Sequence, residues 1–357
     1  MLINIQFLRF TAALLVLVYH TSSHMRDAGV ELGPLFTMSE SIGFAGVDIF
    51  FVISGFIMAY TTSASGGIQK GWVFIRRRCA RIYSGYWPFY LLALAVFAWI
   101  NPAQLQDSSL IRSAILWPAN VLLLAVSWTL IFEMFFYLLF TVLIATTERS
   151  RETTLKLLLI AIIAWSLFSQ FGLHAYDQGQ LEKMSLAQYY MLSPYLAEFL
   201  AGAVIASQAR RNPAKQGWLY LSAGVFLFSL GGWVNDSLFG GSIEQGYFVF
   251  YRVLTFGIPS LLLLKGMISL EQSGVRAPVR FSILAGGASY AIYLSHTLLL
   301  TVSQYLGFNV FAGQMSNPLA KILFSLLILA ILFLSMAHYT WIERPLHRRF
   351  KGLLRVH

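Results

Sequence analysis

Apolar runs of about twenty residues, separated by short polar stretches, recur along the whole of this 357-residue chain. A run of that length crosses the roughly 30 Å hydrocarbon core of a bilayer as a helix. Ten can be placed, at 5–23, 44–61, 83–101, 127–147, 157–173, 190–208, 217–234, 245–267, 283–306 and 319–340. The pattern predicts an all-α fold, a polytopic membrane helix bundle. The segment 102–126 fits less simply, because its apolar stretch Leu110 to Leu124 contains Arg112 and Pro118. We expect an interfacial or re-entrant piece there, since an eleventh span would invert every later loop. No internal repeat or low-complexity tract is visible, which weighs against a transporter built from paired halves. The first helix carries Arg9 and lacks a small-residue cleavage site, so it is expected to be retained rather than removed as a signal peptide.

Composition agrees with the pattern: 57% of residues are hydrophobic and 11% charged, far from soluble averages. The net charge of +10 does not indicate nucleic acid, because in a membrane protein the placement of charge matters more than its sum. Eighteen of the 25 basic residues fall in alternate loops and the tail, including Lys70, Arg76, Arg77, Arg78, Arg81, Arg210, Arg211, Lys215, Arg276, Arg280, Arg344 and Arg355. Loops rich in Lys and Arg stay on the cytoplasmic side. The bias therefore predicts both termini in the cytoplasm and an even number of spans. Cys79 is the only cysteine, so neither an intramolecular disulfide nor a multi-cysteine metal site is available.

Ionisable groups inside a membrane helix normally face a protein interior or a watery path. Arg9 and His20 lie eleven residues apart in the first run. At about 100° per residue they return to one helix face, about 16 Å apart. Asp48 sits at a similar depth in the second span, and a carboxylate there would orient the His20 imidazole for proton removal from a hydroxyl. Arg252 in the eighth span needs an acidic partner, for which Glu133 and Glu198 are the candidates. Tyr293 and His296 share a face of the ninth span at i and i+3. Arg76 and Arg78 are suited to phosphate, although lipid-headgroup anchoring explains them equally well. No zinc helix, nucleophile elbow, phosphate loop or dinucleotide fingerprint is present, and no metal site is expected.

At these residues the chain resembles the membrane acyltransferase-3 family along almost its full length. The resemblance rests on the Arg9 to His20 spacing, on Gly46-Val47-Asp48-Ile49-Phe50-Phe51-Val52-Ile53-Ser54-Gly55-Phe56, and on Arg76-x-Arg78. It continues through Ser127-Trp128-Thr129-Leu130 with Glu133 and Tyr137, Glu198 to Gly202, Ser289 to His296, and Ile342-Glu343-Arg344-Pro345-Leu346. The chain looks most similar to exopolysaccharide-production acyltransferases without a fused hydrolase-like domain. That implies an acyltransferase domain over 1–345 and a short basic cytoplasmic tail over 346–357, in a bacterial inner membrane. It implies transfer of an acyl group, usually acetyl, from cytoplasmic acetyl-CoA or another acyl-CoA to a sugar hydroxyl of a lipid-linked or exported polysaccharide. No permanently bound cofactor is expected; the partners would be the acyl donor, the glycan, membrane lipids and polysaccharide-synthesis machinery. On this reading His20 is the general base, with Asp48 and Glu133 also catalytic. Arg9, Arg76 and Arg78 hold the donor, and Tyr293, His296 and Arg252 contact substrate. The competing readings are a transporter or flippase for a polar or lipid-linked glycan, and a structural part of an export complex.

Overall fold

The computed structural model describes residues 2–62, 66–177, 180, 183–211 and 216–353. Among them no strand occurs, and ten helices are long and apolar enough to cross a membrane. We number these α1 (Ile3–Asp27), α2 (Pro34–Thr61), α3 (Ile68–Ile100), α4 (Ala125–Ile144), α5 (Glu148–Gly172), α6 (Gln188–Arg210), α7 (Gly217–Leu238), α8 (Gly246–Gln272), α9 (Val279–Tyr305) and α10 (Asn317–Leu353). Each contains or largely overlaps one expected run. The expected basic residues Lys215 and Arg355, and the side chain of Arg211, lie outside the described residues.

Two boundaries correct the sequence reading in a way that matters. The run from Lys70 to Arg81, expected as a loop, is the first half of α3, and Arg344 to Lys351 continue α10 as helix. Hydropathy marks only the lipid-crossing part of a helix, whereas backbone hydrogen bonding continues past it wherever the sequence allows. The second span likewise starts at Pro34, ten residues before the apolar run, with Pro at its first turn where the missing N–H costs nothing.

Little hydrophobic drive is available between helices already in lipid, so close packing relies on small residues. A Cβ on Gly55 would lie 1.9 Å from the Phe199 carbonyl oxygen, and one on Gly202 would lie 2.1 Å from that of Val52. These two glycines bring α2 and α6 into backbone contact. Gly286 does the same for α1 and α9, where a Cβ would sit 2.2 Å from the Gln6 carbonyl oxygen. The start of α1 is fixed from α8: Glu271 accepts hydrogen bonds from the backbone N–H groups of Ile3 (2.7 Å) and Asn4 (2.9 Å). A carboxylate at this end also complements the helix dipole.

The segment 102–126 does not cross. It holds two short helices, Pro102–Asp107 and Leu110–Ala114, followed by irregular chain. Non-helical backbone at membrane depth needs donors from the protein, and one face of α3 supplies them. The hydroxyls of Tyr83, Tyr86 and Tyr90 donate to the carbonyls of Ile115, Ser113 and Leu110 at 2.8, 2.8 and 2.9 Å, and the Trp87 indole donates to Ala114 at 3.0 Å. The chain leaves α3 at Ile100 and folds back to the level of Tyr83, about 25 Å along the helix. This is the re-entrant geometry, and it delivers Val126 and Thr129 at the start of α4 to Tyr293.

Candidate functional site

The Arg-rich end of the bundle opens into a vestibule of 690 Å³ lined by Lys70, Arg77, Arg78, Arg81, His347 and Lys351 together with Phe74 and Thr61. Phe74, Arg77, Arg78 and Arg81 follow the i, i+3, i+4, i+7 rhythm of one helix face. Arg76, expected to bind phosphate beside Arg78, is exposed and does not line the vestibule. Two helical steps turn a side chain by about 200°, so an Arg-x-Arg pair on a helix points to opposite sides. Arg78 is held in place by Thr61, whose hydroxyl accepts from Nη2 at 3.2 Å, and by the rings of Phe74 and Tyr137, 5.1 and 5.6 Å from its guanidinium carbon.

Arg78 and Arg81 also line a second, inner cavity of 130 Å³, so the two spaces share a wall. Arg9, Glu133, Ser54, Tyr137, Tyr290 and Tyr293 contribute the polar lining of the inner one, among apolar groups such as Phe50 and Phe51. Glu133 accepts hydrogen bonds from Ser54 (3.2 Å) and from Tyr137. Arg81 is paired with the buried Glu343, which sits in a π-helical turn of α10. Gly85 leaves room for this arrangement: a Cβ there would lie 2.4 Å from the Tyr290 ring and 3.4 Å from the Glu343 carboxyl carbon. Arg9 lines the cavity without a hydrogen bond or ion pair to any described residue.

Tyr293 connects this cavity to a pair of imidazoles. It lines the cavity, donates to the Val126 carbonyl at 3.1 Å, accepts from Thr129 at 3.2 Å, and packs its ring 5.7 Å from that of His296. His296, fully buried, faces His20 across the α1–α9 contact, Nε2 to Nδ1 at 3.3 Å with ring centroids 4.8 Å apart. The tautomers follow from chemistry. His20 Nδ1 is 2.9 Å from the Val16 carbonyl and His296 Nδ1 is 3.2 Å from that of Ile292. A carbonyl oxygen can only accept, so both Nδ1 atoms carry hydrogen. The His20 Nδ1–H is then shared between Val16 and the His296 Nε2 lone pair, which leaves His20 Nε2 as a free lone pair with no described partner.

Asp48 does not meet His20. It is fully buried against Arg252, which donates to Asp48 Oδ2 from Nη2 at 2.7 Å and from Nε at 3.1 Å. Arg252 also donates to the Phe44 carbonyl at 3.2 Å and lies over the rings of Phe44 and Tyr195. Its acidic partner is therefore Asp48 rather than Glu133 or Glu198. Glu198 is a close electrostatic neighbour of the pair, with its carboxyl group beside Asp48. Sequence depth placed Asp48 and His20 together because it says nothing about azimuth: α2 turns Asp48 toward α8, away from the α1–α9 face. Arg252, Asp48, His20 and His296 do not line the inner cavity, and of the expected substrate contacts only Tyr293 does. Among the described residues no cluster of metal-ligating groups occurs.

Arg81, Tyr290 and Glu343 were not singled out by sequence as members of the site. The signal was available for Arg81, three residues after Arg78 on the same face once the run is read as helix. Tyr290 and Glu343 become site residues only through the packing of α9 and α10 against α3.

Residues 2–340 match the family described as an acyltransferase domain. The chain is 30% identical over 330 residues to the exopolysaccharide production protein ExoZ of Rhizobium meliloti (strain 1021), covering 87% of this chain and 91% of that protein. It is 24% identical over 367 aligned positions to the acyltransferase MdmB of Streptomyces mycarofaciens, covering 96% and 90%. No solved structure matches. With nearly its whole length inside one family, and a ten-helix membrane architecture around a buried polar path, the chain belongs to the acyltransferase-3 family.

Proposed function

We propose that this membrane acyltransferase moves an acetyl group from cytoplasmic acetyl-CoA to a sugar hydroxyl of a lipid-linked or exported polysaccharide. The observation that carries the reading is the succession from the basic vestibule to the cavity holding Arg9 and Glu133, with Tyr293 packed between that cavity and the His296–His20 pair. The name of the Rhizobium relative, an exopolysaccharide production protein, favours a sugar polymer as acceptor. The Arg-rich end would face the cytoplasm of a bacterial inner membrane, where polysaccharide-synthesis machinery would supply the glycan.

In this scheme Arg78 and Arg81 hold donor phosphates, a role that suits the planar guanidinium fork. Arg9 continues the positive lining inward, and Tyr293 and Glu133 border the chamber that the acyl arm enters. His20 Nε2 removes the proton as the acceptor oxygen attacks the acyl carbonyl. The thiolate of coenzyme A leaves and takes the proton back from His20. His296 accepts from His20 Nδ1–H, a hydrogen bond that strengthens while His20 is positively charged.

The test is transfer from radiolabelled acetyl-CoA to a lipid-linked glycan extract by protein in nanodiscs. His20→Ala is expected to lose about 10²–10⁴-fold in turnover, the range typical of a positioned acid–base group. Arg78→Ala should weaken donor binding about tenfold or more, as loss of a charge-assisted hydrogen bond does, while Arg76→Ala leaves it unchanged. Wild-type turnover in folded His20→Ala would end the base assignment. Movement of glycan across sealed vesicles without acyl donor would replace the enzyme by a transporter.

A further inference from the structure

The Arg-rich end has another opening, which shares Arg81 with the vestibule. A cleft of 510 Å³ lies between α1, α9 and α10, with Arg9 and Arg81 at its inner side and the exposed Arg280 and Arg344 at its outer side. Arg81 is neutralised by Glu343. Arg9, Arg280 and Arg344 form no ion pair with a described residue, and the Arg344 guanidinium lies over the Tyr339 ring, 5.8 Å from its centroid. Arg9 has the carboxylates of Glu133 and Glu343 as electrostatic neighbours, which leaves Arg280 and Arg344 as two unpaired guanidinium groups at the mouth of one cleft, a pairing of like charges that favours an anion between them.

The remaining wall combines Gln6 and Tyr339 with apolar groups. Ile283 and Leu284 line the cleft and are each 42% exposed, within one helical turn of Arg280 at the start of α9. The start of a membrane helix lies at headgroup depth, so charge and exposed aliphatic surface meet where a lipid changes from head to chain. A free phosphate or nucleotide would use the charges and leave Ile283 and Leu284 unpaired with anything apolar. An anionic amphiphile uses both.

We propose that this cleft binds an anionic phospholipid, its phosphate against Arg280 and Arg344 and an acyl chain along Ile283 and Leu284. The cleft shares Arg9 and Arg81 with the inner cavity, so the lipid would border the route assigned to the acyl donor, while Arg280, Arg344, Ile283 and Leu284 belong to the cleft and not to that cavity.

Delipidated protein in detergent, titrated separately with dioleoyl phosphatidylglycerol, dioleoyl phosphatidylcholine, inorganic phosphate and coenzyme A and read by native mass spectrometry, tests this. Wild type should retain phosphatidylglycerol over phosphatidylcholine by about tenfold or more, as expected for two arginines near a headgroup. The Arg280→Ala/Arg344→Ala variant should lose that preference, and Arg280→Lys/Arg344→Lys should keep most of it, with coenzyme A binding the same in all three. Thermal melting identifies any variant that fails to fold, in which case Arg280→Gln alone should reduce the preference severalfold. Equal retention of the two lipids by wild type overturns the proposal, as does a preference that survives in the alanine variant. A loss of phosphate or coenzyme A binding with lipid preference intact also overturns it and makes the cleft part of the donor site.

Discussion

A histidine whose Nδ1–H is tied to the carbonyl one turn back has a single nitrogen left for chemistry. His20 is in that state, and His296 is the only described side chain that hydrogen-bonds to it. His296→Ala should therefore keep the His20 tautomer, through Val16, but remove the acceptor that supports its protonated form. We expect kcat to fall about tenfold, equivalent to about 1.4 kcal/mol, with KM for acyl-CoA unchanged and the pH profile displaced; an unaltered profile would make His296 a packing residue. The buried Asp48–Arg252 pair predicts a different split. Asp48→Ala strands a buried guanidinium and should destabilise the fold by about 3–5 kcal/mol. Glu198→Gln leaves that pair intact and should melt within a few degrees of wild type. If the two variants melt alike in detergent, Glu198 shares the task of neutralising Arg252.

Helices here are positioned by what sits on their faces. The α2–α6 contact depends on Gly55 and Gly202, each facing a backbone carbonyl that no side chain could approach. Gly55→Ala should force the two helices apart at a cost of about 1–3 kcal/mol, the usual range for overpacking, readable as a lowered melting temperature. An unchanged melting temperature would mean that α6 can shift freely. Because α2 carries Ser54 and Phe50 into the inner cavity, the same variant should reduce turnover more than donor affinity. The α3 helix does two jobs with two faces, its tyrosines and Trp87 holding the re-entrant carbonyls and its arginines lining the vestibule. The ten runs of hydrophobic residues were legible before folding, and so was the failure of 102–126 to cross. The helical state of Lys70 to Arg81 was not, since polar residues beyond the bilayer give no hydropathy signal, and with it went the fact that Arg78 and Arg81, and not Arg76, line the vestibule.

For the whole molecule, charge and apolar surface divide the labour. Exposed Trp72, Trp218 and Trp341 near the Arg-rich end, and Trp99 and Trp233 toward the other, form belts suited to the two membrane interfaces. Ten spans place both ends of the chain on one side, and the charge bias leads us to propose that this side is the cytoplasm. With Cys79→Ser as background, Gly352→Cys should resist a membrane-impermeant maleimide in intact cells and react after permeabilisation; labelling in intact cells would invert the topology. The vestibule gathers Lys70, Arg77, Arg78, Arg81 and Lys351 around one mouth. Attraction of a polyanionic donor to such a mouth is screened as the Debye length falls from about 10 Å at 0.1 M to about 3 Å at 1 M salt. KM for acyl-CoA should rise severalfold over that range while kcat holds, and a salt-independent KM would remove the vestibule from donor capture.

Periodicity, length and charge are local or additive properties of a chain, so the sequence alone determined the membrane class, the count of spans, the family and the stripe that holds Arg9 and His20. Which charges meet is a matter of helix azimuth and neighbour choice, and those depend on contacts between residues hundreds of positions apart. Only the tertiary structure turned Asp48 to Arg252, set His296 against His20, and brought Glu343 to Arg81.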